Sequence, residues 1–135
     1  MDEKILKTFE ASLGRCNAHP EFLDRFYAIF LDSSPRVKEK FANTDFVRQK
    51  RALKASLHAM LLATGDGKAG LDRYLRGVAD RHSRREMNIG SEFYDYWLDS
   101  LLATVKEFDP KYSSEIHDAW EKVMMSGISY LLSQY

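Results

Sequence analysis

The chain has 135 residues, with 20 Lys+Arg against 20 Asp+Glu, 44% hydrophobic and 30% charged residues. That length suits one domain, 1–135, and the apolar share is that of a folded protein, which excludes disorder. Net neutrality argues against a nucleic-acid partner. The single cysteine, Cys16, excludes a disulfide framework and a thiolate zinc cage. No uncharged run nears the ~20 residues of a membrane helix, so no membrane partner is expected. The N-terminus, MDEKILKTFE, is acidic where a signal peptide is basic, and a cytoplasmic location is expected.

Pro20, Pro35, Pro110 and the glycine run 65–70 punctuate the chain, and the apolar spacing between them follows the helical period, which predicts an all-α fold. The first helix is expected over about 2–16, capped by Asp2, with Ile5, Phe9 and Leu13 on one face. The second opens at Pro20 and carries a broad aromatic face of Phe22, Phe26, Tyr27 and Phe30. A short third helix starts at Pro35 and reaches about Phe41. The fourth, about 45–64 after Asn43-Thr44-Asp45, shows Leu53, Leu57 and Leu61 and is stopped by the glycine run. The fifth, about 69–84, shows Leu71, Leu75, Val78 and His82. The sixth, about 92–108 behind Ser91, shows Phe93, Trp97, Leu101 and Val105, and the seventh, about 113–133, shows Ile116, Trp120, Val123 and Leu131. Seven helices broken by a Ser-Ser-Pro corner predict obliquely crossing helices rather than an up-down bundle.

Eight Phe, seven Tyr and two Trp make up 13% of the chain. Rings in that number fill a bulky core or enclose a bulky flat ligand. No phosphate loop, dinucleotide-binding, zinc-protease or nucleophile-elbow signature is present. The run Gly65-Asp66-Gly67-Lys68-Ala69-Gly70 follows a helix rather than a strand, so it is read as an interhelical loop. Glu92, Asp95 and Asp99 share a helix side without a histidine and are read as a solvated face.

Of the four histidines, His19 and His117 are expected at the surface and His58 at the edge of a buried stripe. His82 takes the last place in the row Leu71, Leu75, Val78, where an inward imidazole needs a partner: a core acceptor, or a metal or haem iron. Gln49 likewise heads the row Leu53, Leu57, and the Tyr27 hydroxyl lies within the aromatic face of the second helix. Each has an ordinary structural explanation. Together they place three polar groups on apolar rows of three helices.

The chain resembles a globin. Pro35-Arg36-Val37-Lys38-Glu39-Lys40-Phe41 is similar to the corner that holds the globin phenylalanine against haem, and Tyr27 stands at the helix position facing the distal pocket. Gln49-Lys50-Arg51-Ala52-Leu53 resembles the Q-P-K-A-L segment of bacterial haemoglobins. Val78-Ala79-Asp80-Arg81-His82, followed by Ile89, Tyr94 and Leu101-Leu102, resembles the proximal helix and the one after it, and Asp118-Ala119-Trp120 the D-A-W of the last helix. The resemblance covers essentially the whole chain and points to a bacterial single-domain globin, similar to the haemoglobin domain of flavohaemoglobins.

That resemblance implies a three-over-three helical sandwich around haem b, with His82 as the proximal iron ligand and Tyr27, Gln49 and Leu53 on the distal side. Phe41, Phe46, Val78, Ile89, Tyr94 and Trp97 would line the pocket, with Arg48, Lys50, Arg51, Arg81, Arg84 and Arg85 offering cations at its rim. The implied partner is a diatomic gas (oxygen, nitric oxide or carbon monoxide). Hydrogen bonds from Tyr27 and Gln49 would stabilise a partly anionic gas ligand. Flavohaemoglobins continue into a reductase module, whereas this chain stops at Tyr135, and the glutamate they place late in the last helix corresponds to Tyr135 here. Reversible gas binding is therefore expected. Nitric oxide dioxygenation with an external reductase, or a haem-free interaction module on the same fold, are the alternatives.

Overall fold

The computed structural model describes residues 1–82 and 91–133, with the side chains of all of these except Lys68 and residues 77–82. The helices are α1 (Glu3–Asn17), α2 (Phe22–Asp32), α3 (Pro35–Lys40), α4 (Phe46–Gly65), α5 (Gly67–His82), α6 (Ser91–Phe108) and α7 (Ser114–Ser133). No strand occurs among the described residues.

Local chemistry explains most helix starts. Asp2 accepts from the backbone N–H of Lys4 at 2.7 Å, Ser34 from that of Arg36 at 3.2 Å, and Asp45 from those of Val47 and Arg48 at 3.1 and 3.4 Å. Pro35 takes the first turn of α3, where its missing N–H costs nothing. Pro20, by contrast, does not open α2. It lies in the turn after α1, closed by the Phe22 N–H on the His19 carbonyl at 3.2 Å, and α2 begins two residues later.

The glycine run makes a tight corner rather than a loose loop. α4 continues through Gly65, and Gly67, at φ 65°, turns the chain directly into α5. Gly70 lies so close to α4 that a Cβ there would sit 2.5 Å from the Ala63 carbonyl oxygen. α4 and α5 consequently pack along each other.

α1, α4 and α5 form one layer over α2, α6 and α7, and α7 touches both. Trp120, Phe9, Phe22, Phe26, Leu57, Leu75, Leu101 and Met124 are fully buried between them. Where α7 crosses α4, a Cβ on Gly127 would fall 2.0 Å from the Met60 sulfur, so hydrogen is the largest group that fits without moving Met60.

One polar node ties the first layer to the second. Asp109, its side chain wholly buried, accepts from Ser12 Oγ at 2.6 Å, from Arg15 Nε and Nη2 at 2.7 and 3.0 Å, and from the Lys111 N–H at 2.9 Å. Ser12 in turn accepts from Trp120 Nε1 at 2.8 Å. Burial alone would raise the Asp109 carboxyl. The hydrogen bonds from Arg15, Ser12 and Lys111, with the Arg15 charge, outweigh burial and hold it below the ordinary aspartate range. Cys16, beside this node, is pushed up to about 12 by burial and by the Asp109 charge, so it stays an inert thiol.

Candidate functional site

α2 is the hub of an aromatic cluster. Phe26 stacks nearly parallel on Phe30 with centroids 5.5 Å apart and meets Trp97 of α6 edge-on at 6.1 Å. Phe30 meets Phe41, the C-cap of α3, at 5.4 Å, and Tyr27 meets Phe46, the first residue of α4, at 5.3 Å. Thus Phe41, Phe46 and Trp97 converge on α2 and its Tyr27 from three other elements. Phe26 and Phe30, which the sequence analysis did not single out as site residues, make the bridges between them. Their spacing of four on the aromatic face was the available signal.

Burial divides the cluster. Phe26 and Phe30 are buried, but Phe41, Phe46 and Trp97 are only half-buried, as are Phe93 and Tyr96 on the same stretch of α6. Large rings left half-covered side by side suit contact with a further apolar body. The helix packing agrees. α4 packs on α5, α7, α1 and α2, and α6 on α2, α7 and α1, while no broad contact among the described residues joins α6 to α4 or α5.

Into this cluster α2 directs one hydroxyl. Tyr27 is 5% exposed and donates to the backbone carbonyl of Gln49 at 3.4 Å, a long bond. Burial pushes the phenol up to about 12, with the Gln49 bond opposing only part of the effect, so Tyr27 remains a neutral donor across physiological pH. It is the Gln49 carbonyl, not its amide side chain, that meets Tyr27. Gln49 is half-buried, and Leu53, one turn on, is buried at 6% exposure. Tyr94 is buried on α6, one turn before Leu98.

Residues 24–130 match the family model described as Globin. The crystal structure of PA3967, a Pseudomonas aeruginosa PAO1 protein described as structurally highly homologous to a human haemoglobin, is similar at 40% identity and a TM-score of 0.89, covering 97% of this chain and 98% of that one. The chain belongs to the globin family. No curated protein matches it.

Globins bind haem, and the residues present in this globin fit that group. The half-buried rings of Phe41, Phe46 and Trp97 supply apolar faces, and no broad contact among the described residues joins α4 to α6. Tyr27 supplies a buried donor held by one long bond. α5 runs through Val78 and ends at His82, but the side chains of both lie outside the described residues, as do Ile89 and Tyr135 altogether.

At the edge of the cluster Arg36 pairs with Glu92 at 2.9 Å and lies 5.7 Å over the Phe93 ring, clasping α3 to the start of α6. Lys50 is paired with Asp24 of α2. The remaining histidines are not in the site. His58 is exposed, and His19 is largely exposed with its ring 5.3 Å from Phe108. His117 is half-buried, with Nδ1 2.9 Å from the Tyr112 hydroxyl and Nε2 3.5 Å from Glu121. No group of His, Cys, Asp and Glu suited to a metal ion occurs among the described residues. A groove of about 350 Å³ between α2 and α6, bordered by Arg25, Asp32 and Asp99, has no ring of the aromatic cluster in its lining. No helix among the described residues is long and apolar enough to cross a membrane.

Proposed function

We propose that residues 1–135 form a single globin domain that holds haem b and reversibly binds a diatomic gas, with His82 as the proximal ligand and Tyr27, Gln49 and Leu53 on the distal side. When bound, the haem iron would supply a coordination position for the gas. Phe41, Phe46 and Trp97, with Val78, Ile89 and Tyr94, hold the flat group and exclude water from it. Leu53 limits the space above it. Tyr27 remains protonated, and by turning from the Gln49 carbonyl it offers its hydrogen to a ligand that gathers negative charge. The Gln49 amide offers a second donor from the first turns of α4. The gas is oxygen, nitric oxide or carbon monoxide, and the site is cytoplasmic.

The observation that carries this reading is the buried Tyr27 hydroxyl, held by a single 3.4 Å bond beside half-buried rings from three other elements. A structural tyrosine at that depth is ordinarily tied by a short, well-directed bond. The test is gas kinetics on Tyr27→Phe. Oxygen dissociation should accelerate about tenfold, the equivalent of ~1.4 kcal/mol, while carbon monoxide, which gathers little charge, should respond far less. Equal acceleration of both gases would make Tyr27 a steric element and remove the polar distal pocket.

Nothing in the described residues favours an acid acting on His82 from α7. Glu121, the acid that follows Trp120 on that helix, is exposed and engaged with His117. An imidazole of ordinary neutral donor strength is therefore part of the proposal, which suits gas binding better than peroxide cleavage.

A further inference from the structure

α4 departs from an electrostatic rule that several other helices keep. α1, α2, α6 and α7 carry Glu3, Asp24, Glu92 and Glu115 in their first turns, where the positive end of the helix dipole favours an acid. α4 has an acid only at its cap, Asp45, has none in its 20 residues, and instead sets Arg48, Lys50, Arg51 and Lys54 in its first half. Arg48 and Arg51, then Arg51 and Lys54, are three residues apart, which places like charges on adjacent turns where they repel. Lys50 is neutralised by Asp24. Arg48, Arg51 and Lys54 are exposed and have no ion-pair partner among the described residues.

Two of these cations, Arg51 and Lys54, lie on one defined side. At ~100° per residue, Val47, Arg51, Lys54, His58 and Leu62 fall in one stripe about 80° wide, opposite the buried Leu53, Leu57 and Met60. Val47 and Leu62, at its two ends, are 65% and 42% exposed, and small Ala55 lies between them, also exposed. The stripe runs about 22 Å at ~1.5 Å per residue. Neither the core nor the helix's own electrostatics accounts for a cationic ridge framed by exposed aliphatic side chains.

We propose that this outer stripe of α4 is the docking surface for an acidic face of a partner protein that delivers single electrons to the globin. The electron-delivery clause rests on the proposed haem function: a one-electron donor, such as a reduced flavin or iron–sulfur centre, is oxidised as ferric haem iron is reduced, with no bond made or broken. The surface suits this role because α4 presents Gln49 and Leu53 on its other side. A partner seated on the stripe therefore lies about one helix diameter, ~10 Å, from the pocket. A patch of this size fits a brief complex rather than a permanent one, with charge acting mainly on the association rate. A lipid surface fits less well, since the stripe has no aromatic side chain to insert.

The test uses the full chain with a plant-type [2Fe–2S] ferredoxin, an acidic one-electron donor, as the probe. Binding is read from amide chemical shifts, which need no haem, and electron transfer from the stopped-flow rate of reduction of the ferric protein. At low salt the shifts should centre on 47–62, and the reduction rate should fall about tenfold between low and high ionic strength. Lys54→Glu with His58→Glu should slow reduction by ferredoxin about tenfold, and Lys54→Gln should produce a smaller change in the same direction. Reduction by a neutral photoreduced deazaflavin should stay unchanged in both variants. Equal rates in all variants, shifts centred elsewhere, or sedimentation with phosphatidylserine vesicles in place of ferredoxin binding would overturn the proposal. So would a self-association abolished by the charge reversal, which would assign the stripe to a second copy of this chain. Ferredoxin binding at the stripe by a protein that takes up no haem would overturn the proposed haem function and leave the acidic docking surface standing.

Discussion

At the corner between α6 and α7, Asp109 accepts four hydrogen bonds of 2.6–3.0 Å, whereas on α2 the equally buried Tyr27 hydroxyl makes a single bond of 3.4 Å. Both are polar groups deep in an apolar protein. The first is saturated: Ser12, Arg15, Lys111 and, through Ser12, Trp120 leave the carboxylate no unmet demand. Such a node fixes the crossing of α1 with the α6–α7 corner and has nothing left to offer a ligand. The second is underused, and the rings of its cluster, Phe46, Phe41 and Trp97, are half-covered, whereas Ser12, Cys16 and Trp120 around Asp109 are buried. Saturation marks a group that holds the fold, and spare capacity marks a group kept for binding.

The largest expected effect lies on the binding side. His82→Ala should abolish stable haem retention, read as loss of the haem absorption bands through gel filtration. Retention with an unchanged spectrum would remove His82 from the proximal position and leave the aromatic cradle without its iron ligand.

On the structural side, Asp109→Ala should cost about 2–3 kcal/mol in urea unfolding. This is less than the ~3–5 kcal/mol of a fully buried pair, because Arg15 can turn to water. Haem affinity per folded molecule should hardly change. A large change there would mean that the two regions are coupled and the contrast drawn between them is wrong. The node also predicts an acid limb. The folded Asp109 pKa is depressed, so its contribution is fully present above the unfolded value of ~3.9 and is lost as pH falls through the lower folded value. Wild type and Asp109→Asn should therefore differ in stability at pH 7 and converge on acidification. A gap that widened toward low pH would contradict the assignment.

The helices and their faces were legible because helical periodicity and capping residues act locally: Asp2, Ser34 and Asp45 cap as their types require. What depends on distant contacts was not legible. Pro20 suits a helix start by its own geometry, but the chain uses it in the turn that leaves α1. The glycines at 65–70 looked like slack. Their reason is the approach of α5 to the Ala63 carbonyl, which no local pattern carries. Ser12 sits among Phe9, Leu13 and Cys16 on a buried face, a visible anomaly, but its partner Asp109 is 97 residues away. In the candidate site, Tyr27 and Gln49 were expected on the distal side of one pocket, and the structure brings the Tyr27 hydroxyl to the Gln49 carbonyl on α4. That the carbonyl of Gln49 rather than its amide meets the hydroxyl follows from side-chain geometry alone.

A smaller effect sharpens the proximal side of the comparison. With Glu121 held at the surface by His117, the iron–histidine stretching frequency of the deoxy protein should fall with neutral-imidazole oxygen carriers rather than with peroxidases. A peroxidase-like frequency, read by resonance Raman, would reveal a carboxylate acting on His82 and favour an oxidative enzyme.

The visible absorption spectrum of the purified protein, titrated with haem, tests the central claim most directly. The account predicts an intense Soret band saturating at one haem per chain and shifting when the reduced protein meets oxygen or carbon monoxide. A titration showing only the spectrum of free haem, with a folded helical protein in the same cuvette, would contradict it and leave the aromatic cluster on α2 as a core that binds nothing.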